Sequence, residues 1–528
     1  MKYMNIHLAG LTYLSKMETW FVLIISLCVA ALIRALLLYR KDGKKLPPGP
    51  SLLSSIFIIL TTPLSELEPI LRNLKSKHGP LITLFIGPPP SIIVSSHSVA
   101  HQILIQKGTI FSDRPSTIPV RNISSASYGP TWRVLRRNLV SEILHPSRVT
   151  SYSWSRKWVL HNLIGRLQDQ NDAAGIKVVD HFLYAMFCLL VLMCFGEKLD
   201  EHQVNEIAGV QRRLLLLAGS GRLNVLSYYP KLGKILFRNR WKELWKLRND
   251  QEQVLIPLIK SRIQAANSEP QSVGDEKVVA YVDTLMNLQL PEEEANKENG
   301  GKLTQKEMVS MCSEFLNAGT DTTATALQWI MANLVKYPEI QSKLYDEIIS
   351  VAGPPPPPPP PGVEVEPESL ISEEDLKKMP YLKAVVLEAL RRHPPGHFVG
   401  AHRATKEVEV QGFMIPEGAH VNFMVAEMGL DPKVWEDPME FKPERFINGD
   451  FDITGSKGIK MMPFGAGRRI CPGFDLALLH LEYFVANLIW YFHWSPPDGY
   501  HVDLSERLEF TVVMKNPLRS HISSRAQK

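Results

Sequence analysis

The chain has 528 residues, 45% of them apolar and 21% charged, a composition that excludes a disordered chain and is ample for a large core. Length alone suggests two or three domains, with one large domain as the alternative. The net charge of +5 lies wholly in the first fifty residues, where seven cations face two carboxylates, so the body is balanced and a basic nucleic-acid surface is not indicated.

The elements follow in chain order. Met17 opens METWFVLII, a natural start, so residues 1–16 read as an extension or a gene-model artefact, within the short N-terminal segment 1–18 that precedes the anchor. Residues 20–33, WFVLIISLCVAALI, carry no charge; Arg34 interrupts and ALLL follows. The stretch 19–38 is long enough to cross a bilayer, which takes about 20 apolar residues. Arg34 near its end can snorkel to the interface. The flank after it, YRKDGKK, is strongly basic, and basic flanks stay cytosolic. The span therefore reads as a transmembrane anchor with the body on the cytosolic side. A cleaved signal peptide is the weaker reading, because the apolar run is long, the basic side lies after it and no A-x-A site is evident. Residues 39–50 form a basic, Pro-rich hinge ending in LPPGP, whose prolines stiffen the chain and cannot continue a helix.

Beyond the hinge, long apolar-periodic stretches read as helices, and short runs at 82–86, 91–95, 407–415 and 509–514 read as strands. Residues 290–302 are polar and Gly-containing, a loop. Thr304-x-x-Glu307 is a capping box that opens a helix, and Pro338 stops it more than thirty residues later. Its middle, AGTDTTAT (318–325), holds Gly319 and several threonines, which are poor helix formers. Two readings stand: a functional opening of the helix by Thr and Asp side chains, or a kink of packing origin. Pro354 to Pro361 are eight prolines in a row, a polyproline II rod of roughly 25 Å. An exposed loop expansion suits that run better than a partner-binding ligand. Glu388 and Arg391 lie on one helix face that ends before Pro394, and most such pairs are solvated. FKPERF (441–446) is by itself a charged loop.

Near the C-terminus comes FGAGRRICPG (464–473), with one cysteine among arginines and glycines. Gly465, Gly467 and Gly473 allow sharp turns and close backbone approach, and Pro472 fixes the chain after the thiol. Nearby N–H groups could hold a thiolate. The other cysteines are Cys28, Cys188, Cys194 and Cys312; the odd count and the lack of any CxxC argue against a disulfide framework or a zinc site, and for a reducing compartment. Cys471 is then either an inert buried thiol or a single axial ligand to haem iron, with Arg469 placed to meet a propionate.

Together these stretches resemble the cytochrome P-450 family, the haem-thiolate monooxygenases, in the family's own order over residues 17 to 520. Phe464, Gly467, Arg469, Cys471 and Gly473 match the haem-loop signature F-x-x-G-x-R-x-C-x-G. Ala318, Gly319, Asp321, Thr322 and Thr323 match the distal-helix motif, Glu388 and Arg391 match ExxR, and Arg445 in FKPERF matches its third member. Trp132 and Arg136 match W-x-x-x-R. The anchor and hinge fit the microsomal type, and EFLNAGTDTTATALQWIMANLVKYP and HLEYFVANLIWYF are most similar to plant members.

The resemblance implies a mainly α fold: one large domain over 51–528 with a small β-rich lobe, preceded by one N-terminal transmembrane helix, in place of the several domains that length suggests. It implies haem b, with Cys471 as the axial thiolate on iron, Phe464 in the haem loop, and Trp132, Arg136, His402 and Arg469 on the propionates. His402 is placed by its spacing to Ile415-Pro416. Asp321 and Thr322 become a catalytic pair that sits over the iron and delivers protons. Glu388, Arg391 and Arg445 become a buried structural network. The substrate pocket takes in the loop 113–128, Phe315, Ala318, His397, Phe398, Val399 and Thr511; His397 is either a polar anchor or a packed neutral imidazole. Arg133, Arg137 and Arg468 either contact an NADPH-cytochrome reductase carrying FAD and FMN, or form a plain solvated basic face.

The implied enzyme sits in the endoplasmic reticulum membrane as a single-pass protein. It inserts one oxygen atom from O2 into a small hydrophobic plant metabolite, using electrons from NADPH through the reductase. Its partners are lipid, substrate and O2, with no nucleic acid. Two other functions compete. One is an oxygen-independent haem-thiolate isomerase or dehydratase, whose members usually depart from the acid–Thr pair kept here. The other is a non-catalytic haem-binding protein.

Overall fold

The structure, a computed structural model, describes residues 45–526 and Ser26, except 63, 88, 116–121, 171–173, 220–237, 268–278, 292–299, 358–369, 448 and 450. The expected extension (1–18), the anchor (19–38, Ser26 apart) and the start of the hinge (39–44) lie outside the described residues, as do Pro358 to Pro361 of the proline run. Among the described residues one helix, Val178–Phe195, is long and apolar enough to cross a membrane, but 78% of that window is buried inside the protein. It is a core helix.

The hinge end does not hang free. The carbonyls of Pro47 and Pro48 accept from Thr83 Oγ1 (2.7 Å) and Thr83 N (3.0 Å), so LPPGP is fastened along the first strand. Among the described residues the strands form four small sheets. The largest joins β1 (Leu81–Leu84), β2 (Ser91–Val94), β7 (His420–Phe423) and β4 (His402–Arg403): β1–β2 and β7–β4 are antiparallel, while β2–β7 is parallel. β3 (Ile176–Lys177) and β8 (Phe492–Ser495) flank β11 (Arg519–Ser524), and β9 (Glu506–Leu508) pairs with β10 (Val512–Met514). The run 407–415, expected as one strand, is a hairpin of β5 (Val408–Val410) and β6 (Phe413–Ile415). It reverses at Gln411 (φ 52°) and Gly412 (φ 76°), the positive angles that a two-residue turn requires. The run 509–514 is strand only from Val512, its first half being the turn out of β9.

Helices carry the rest: α1 (Leu52–Thr61), α2 (Leu64–His78), α3 (Pro130–Glu142), α4 (Ser153–Asp169), α5 (Val178–Phe195), α6 (Glu201–Gly219), α7 (Arg238–Asn267), α8 (Gln305–Lys336), α9 (Pro338–Ala352), α10 (Pro380–Arg392) and α11 (Phe474–Tyr491). α8 is the axis. Its capping box forms as expected: Thr304 Oγ1 accepts from Glu307 N (3.2 Å), and Glu307 Oε2 accepts from Thr304 N (2.8 Å). α8 then runs uninterrupted through AGTDTTAT, so the threonines do not open it. Gly319 has a packing reason, because a Cβ there would lie 2.8 Å from Leu190 Cδ1 of α5. Buried side chains from Ile123 to Ile522 make one continuous cluster around α5, α8, α10 and α11, and a second cluster fills the space under the β1–β2–β7 sheet.

Glu388 and Arg391, on α10, are both fully buried. Arg391 uses all five of its N–H groups. Nε and one Nη2 hydrogen clamp Glu388 (2.7 and 2.8 Å), and the remaining three donate to the carbonyls of Gly429 (2.6 Å), Pro438 (2.9 Å) and Glu440 (3.1 Å). Glu388 also accepts from Lys442 N (2.8 Å) and, at 3.4 Å, from Arg445 Nε. The solvated surface pair is therefore not what the chain builds. Arg391→Ala should destabilise the protein by about 3–5 kcal/mol, because it strands the Glu388 charge. Arg391→Lys should be nearly as harmful, since one ammonium cannot replace a five-donor fork. Denaturant unfolding checks this, and Arg391→Lys within about 0.5 kcal/mol of the parent would contradict it.

Candidate active site

The loop 464–473 is held by its own backbone and by one close approach. Gly465 N donates to Met462 O (3.0 Å), Ile470 N to Gly467 O (3.1 Å) and Cys471 N to Phe464 O (2.9 Å). Gly467 sits at φ +71°, and a Cβ there would lie 2.1 Å from Leu104 O, so only glycine fits. Gly473 has no such constraint; its N–H donates to the thiol of Cys471 and it leads directly into α11. Cys471 is a free, half-buried thiol at the amino end of an 18-residue helix. Burial pushes its pKa up, while the Gly473 N–H and the Arg136 charge pull it down.

Around Trp132 the structure gathers cations. The Arg469 guanidinium lies 4.5 Å, and that of Arg136 5.9 Å, from the Trp132 ring centroid. Arg469 donates to Ser112 O (2.7 Å), Ile123 O (3.1 Å) and Ala126 O (2.6 Å), and Arg136 donates to Ile470 O (2.7 Å). Burial, and then repulsion from Arg114, bring Arg469 down to about 9; burial brings Arg114 down to about 10. His402 donates from Nδ1 to Phe111 O (2.7 Å), and burial together with Arg114 lowers it to about 3, so the ring is neutral. The neighbouring carboxylate, Asp113, is spent on Arg403 and on Tyr128 N (2.8 Å). Trp132 Nε1 is buried without a hydrogen-bond partner. A cluster short of negative charge, with an orphaned donor, suits a dianionic ligand such as the two propionates of a haem.

Two residues of this cluster were not singled out in the sequence. Arg114 donates to Ala401 O (2.9 Å) and Ser124 O (3.2 Å). Glu314, on α8, accepts from Ile123 N (2.8 Å) and Ser124 N (2.7 Å) and so ties that loop to the central helix. Arg114 carried one local signal, its place between Asp113 and Pro115 in a loop. Glu314 carried none, because its partners are far away in the chain.

From Met308 to Val335, α8 is buried except at Glu314, Asn317, Ala318, Gly319 and Thr322. Ala318 is exposed and Thr322 half-buried, one turn apart on one face, in the middle of this otherwise buried stretch. Thr322 Oγ1 donates to Ala318 O (2.6 Å), which leaves its lone pairs toward that open face. Asp321, one step round at about 100°, faces elsewhere. It pairs with Arg212 of α6 (2.5 Å), whose other nitrogen lies 3.5 Å from Glu509. Burial holds Asp321 above the usual carboxylate range despite Arg212. The two expected partners are therefore adjacent in sequence but not on one face.

The expected pocket wall divides in the same way. Val399 reaches over the cysteine loop, 3.6 Å from where a Gly465 Cβ would be. His397 is not free to meet a ligand. Nδ1 bonds Glu68 (2.5 Å), Nε2 lies 3.5 Å from Glu506, and these carboxylates outweigh burial to raise its pKa. Phe398 packs among Leu71, Leu84 and Met424, Phe315 lies against Tyr281 (5.0 Å), and Thr511 shares a hydrogen bond with Thr325 (3.0 Å). Phe464 packs beside Phe474 (6.3 Å). Arg133 and Arg468 are exposed on either side of Tyr128, each 5.8 Å from its ring, and Arg137 is exposed one turn on from Arg133.

Comparison with known proteins identifies the family. The sequence profile described as Cytochrome P450 matches residues 47–522. Cytochrome P450 89A9 of Arabidopsis thaliana is 47% identical over 523 residues, covering 96% of this chain and 98% of that protein. (+)-Vincadifformine 19-hydroxylase of Catharanthus roseus is 29% identical over 94% of this chain and 97% of its own length. Among solved structures, a zebra fish cytochrome P450 with abiraterone superposes with a TM-score of 0.67 at 22% identity, over 87% of this chain and 99% of that one; this likeness is one of fold.

Gly467→Ala is the sharpest local test of the loop. A methyl group 2.1 Å from Leu104 O must displace the turn that carries Cys471. Haem content per folded chain, read from the absorbance ratio of purified protein, should fall by about tenfold, as for a loss of roughly 1.4 kcal/mol. An unchanged ratio would show that this approach does not set the loop.

Proposed function

We propose roles for the residues of this chain, which belongs to the cytochrome P450 family and is a monooxygenase oxidoreductase. When bound, the haem supplies the activation of dioxygen and the insertion of one of its atoms into a substrate. Cys471 Sγ is the iron ligand; the Gly473 N–H and the amino end of α11 hold its negative charge. Arg136, His402, Arg469 and Trp132, joined by Arg114, take the propionates, and Phe464 braces the loop from below. The observation that carries this reading is Cys471 itself: a thiol without a disulfide partner, at a helix amino terminus, beside a cation cluster in need of an anion.

Thr322 and Ala318 form the wall above, with Val399. Thr322 Oγ1 holds a proton in its bond to Ala318 O and can accept another from water. Asp321, kept high by burial and steadied by Arg212, exchanges protons at the boundary of α6 and α8 and supplies that water. The small apolar wall suits a small hydrophobic plant metabolite. The electrons come from NADPH through a flavin reductase docked at Arg133, Arg137 and Arg468, and the span 19–38 anchors the enzyme in the endoplasmic reticulum.

Microsomes holding the chain and an NADPH-dependent reductase, given a leaf metabolite extract under labelled dioxygen, should yield a product with one labelled oxygen atom. Thr322→Ala should cut that product by about 10- to 100-fold while NADPH oxidation continues. A product formed equally well without dioxygen would identify an isomerase or dehydratase instead.

A further inference from the structure

A cleft of about 340 Å³ lies between α4 and α5, and it shares no residue with the site around Cys471. Its volume is that of a small-ligand pocket. Three buried polar atoms on its lining residues have no hydrogen-bond partner: His161 Nδ1, His181 Nδ1 and Arg166 Nε. His181 is only 5% exposed. Groups so buried are normally hydrogen-bonded, to protein or to water, so three without a protein partner in one cleft leave places where a polar ligand can bind. Two rings, Trp158 and Tyr184, line the same cleft, and the Arg166 guanidinium stacks 4.1 Å from the Tyr184 ring centroid.

Gly165 is the further clue. It lies inside α4, where glycine weakens a helix, yet nothing stands within 4 Å of a Cβ built there. No packing contact demands it; its effect is to leave the cleft open. The charges choose the ligand's sign. Arg166 lies within, and Lys198 sits 4.8 Å from the Trp158 ring centroid. The one lining carboxylate, Asp169, is exposed, and Glu201, which pairs with Arg166 Nη1 (2.9 Å), is 60% exposed. His161, His181, Asp169 and Cys188 do not form a metal cluster.

We propose that this cleft is a second binding site, for a small planar aromatic carboxylate, with the carboxylate on Arg166 Nε and His181 Nδ1 and the ring against Trp158 and Tyr184. The site lies behind α5, which packs on α8 through Leu190 and Gly319, so occupancy is placed to stiffen the pair of helices that frame the active site.

The test uses the full-length holoprotein in detergent, its haem pocket first filled with a saturating azole that ligates iron. Calorimetric titration with 2-naphthoate should then show one saturable site. Gly165→Phe, which fills the cleft, should abolish it. Arg166→Gln should weaken it about tenfold, as expected for one charge-assisted contact, and uncharged 2-naphthamide should bind weaker by a similar factor. Should Gly165→Phe fail to fold, the other two arms decide. Absence of a saturable site, a site lost whenever the azole is present, or equal binding by the amide and by Arg166→Gln would overturn the proposal.

Discussion

One guanidinium holds the machinery in place. Arg391 sits fully buried with every N–H satisfied, two on Glu388 of its own helix and three on carbonyls from the segment 429–440. A charge so deep is tolerable only when it is fully paired. The pair therefore obliges a long irregular segment to take one course. Its face also stacks on Trp435, 5.4 Å from the ring centroid, and Trp435 packs with Phe446 and Phe451. The same apolar cluster takes in Phe464 and Phe474, the two rings that bracket the cysteine loop. A buried ion pair on α10 thus positions a thiol on a different segment.

The second constraint is a surplus of positive charge. Arg114, Arg136 and Arg469 crowd a partly dry region where the carboxylate of Asp113 is already engaged by Arg403. Carbonyls soften the surplus without neutralising it. A dianionic cofactor would do so, and would at the same time give Trp132 Nε1 its missing acceptor.

Much of the site was legible in the sequence, and for local reasons. The capping box at Thr304 and Glu307 and the spacing of the cysteine loop are short-range signals, and the structure realises them. Long-range pairings were not legible. His397 looked like a pocket wall, yet it answers to Glu68, 329 positions away. Asp321 and Thr322 looked like one unit, yet a single helical step separates their faces and Arg212 claims the carboxylate. The hairpin at Gln411 and Gly412 was hidden because glutamine is an uncommon carrier of a positive φ. Gly319, read as either functional or a kink, turned out to be where α5 meets α8.

The central claim is that Cys471 binds iron as a thiolate, and one spectrum tests it. Full-length protein is reduced, exposed to carbon monoxide and scanned in the visible. A strongly red-shifted Soret band, absent from folded Cys471→Ala, is the predicted result. Folded protein that retains haem yet never shows that band would contradict the account, because the loop, the cations around Trp132 and the open face of α8 would then have lost their common purpose.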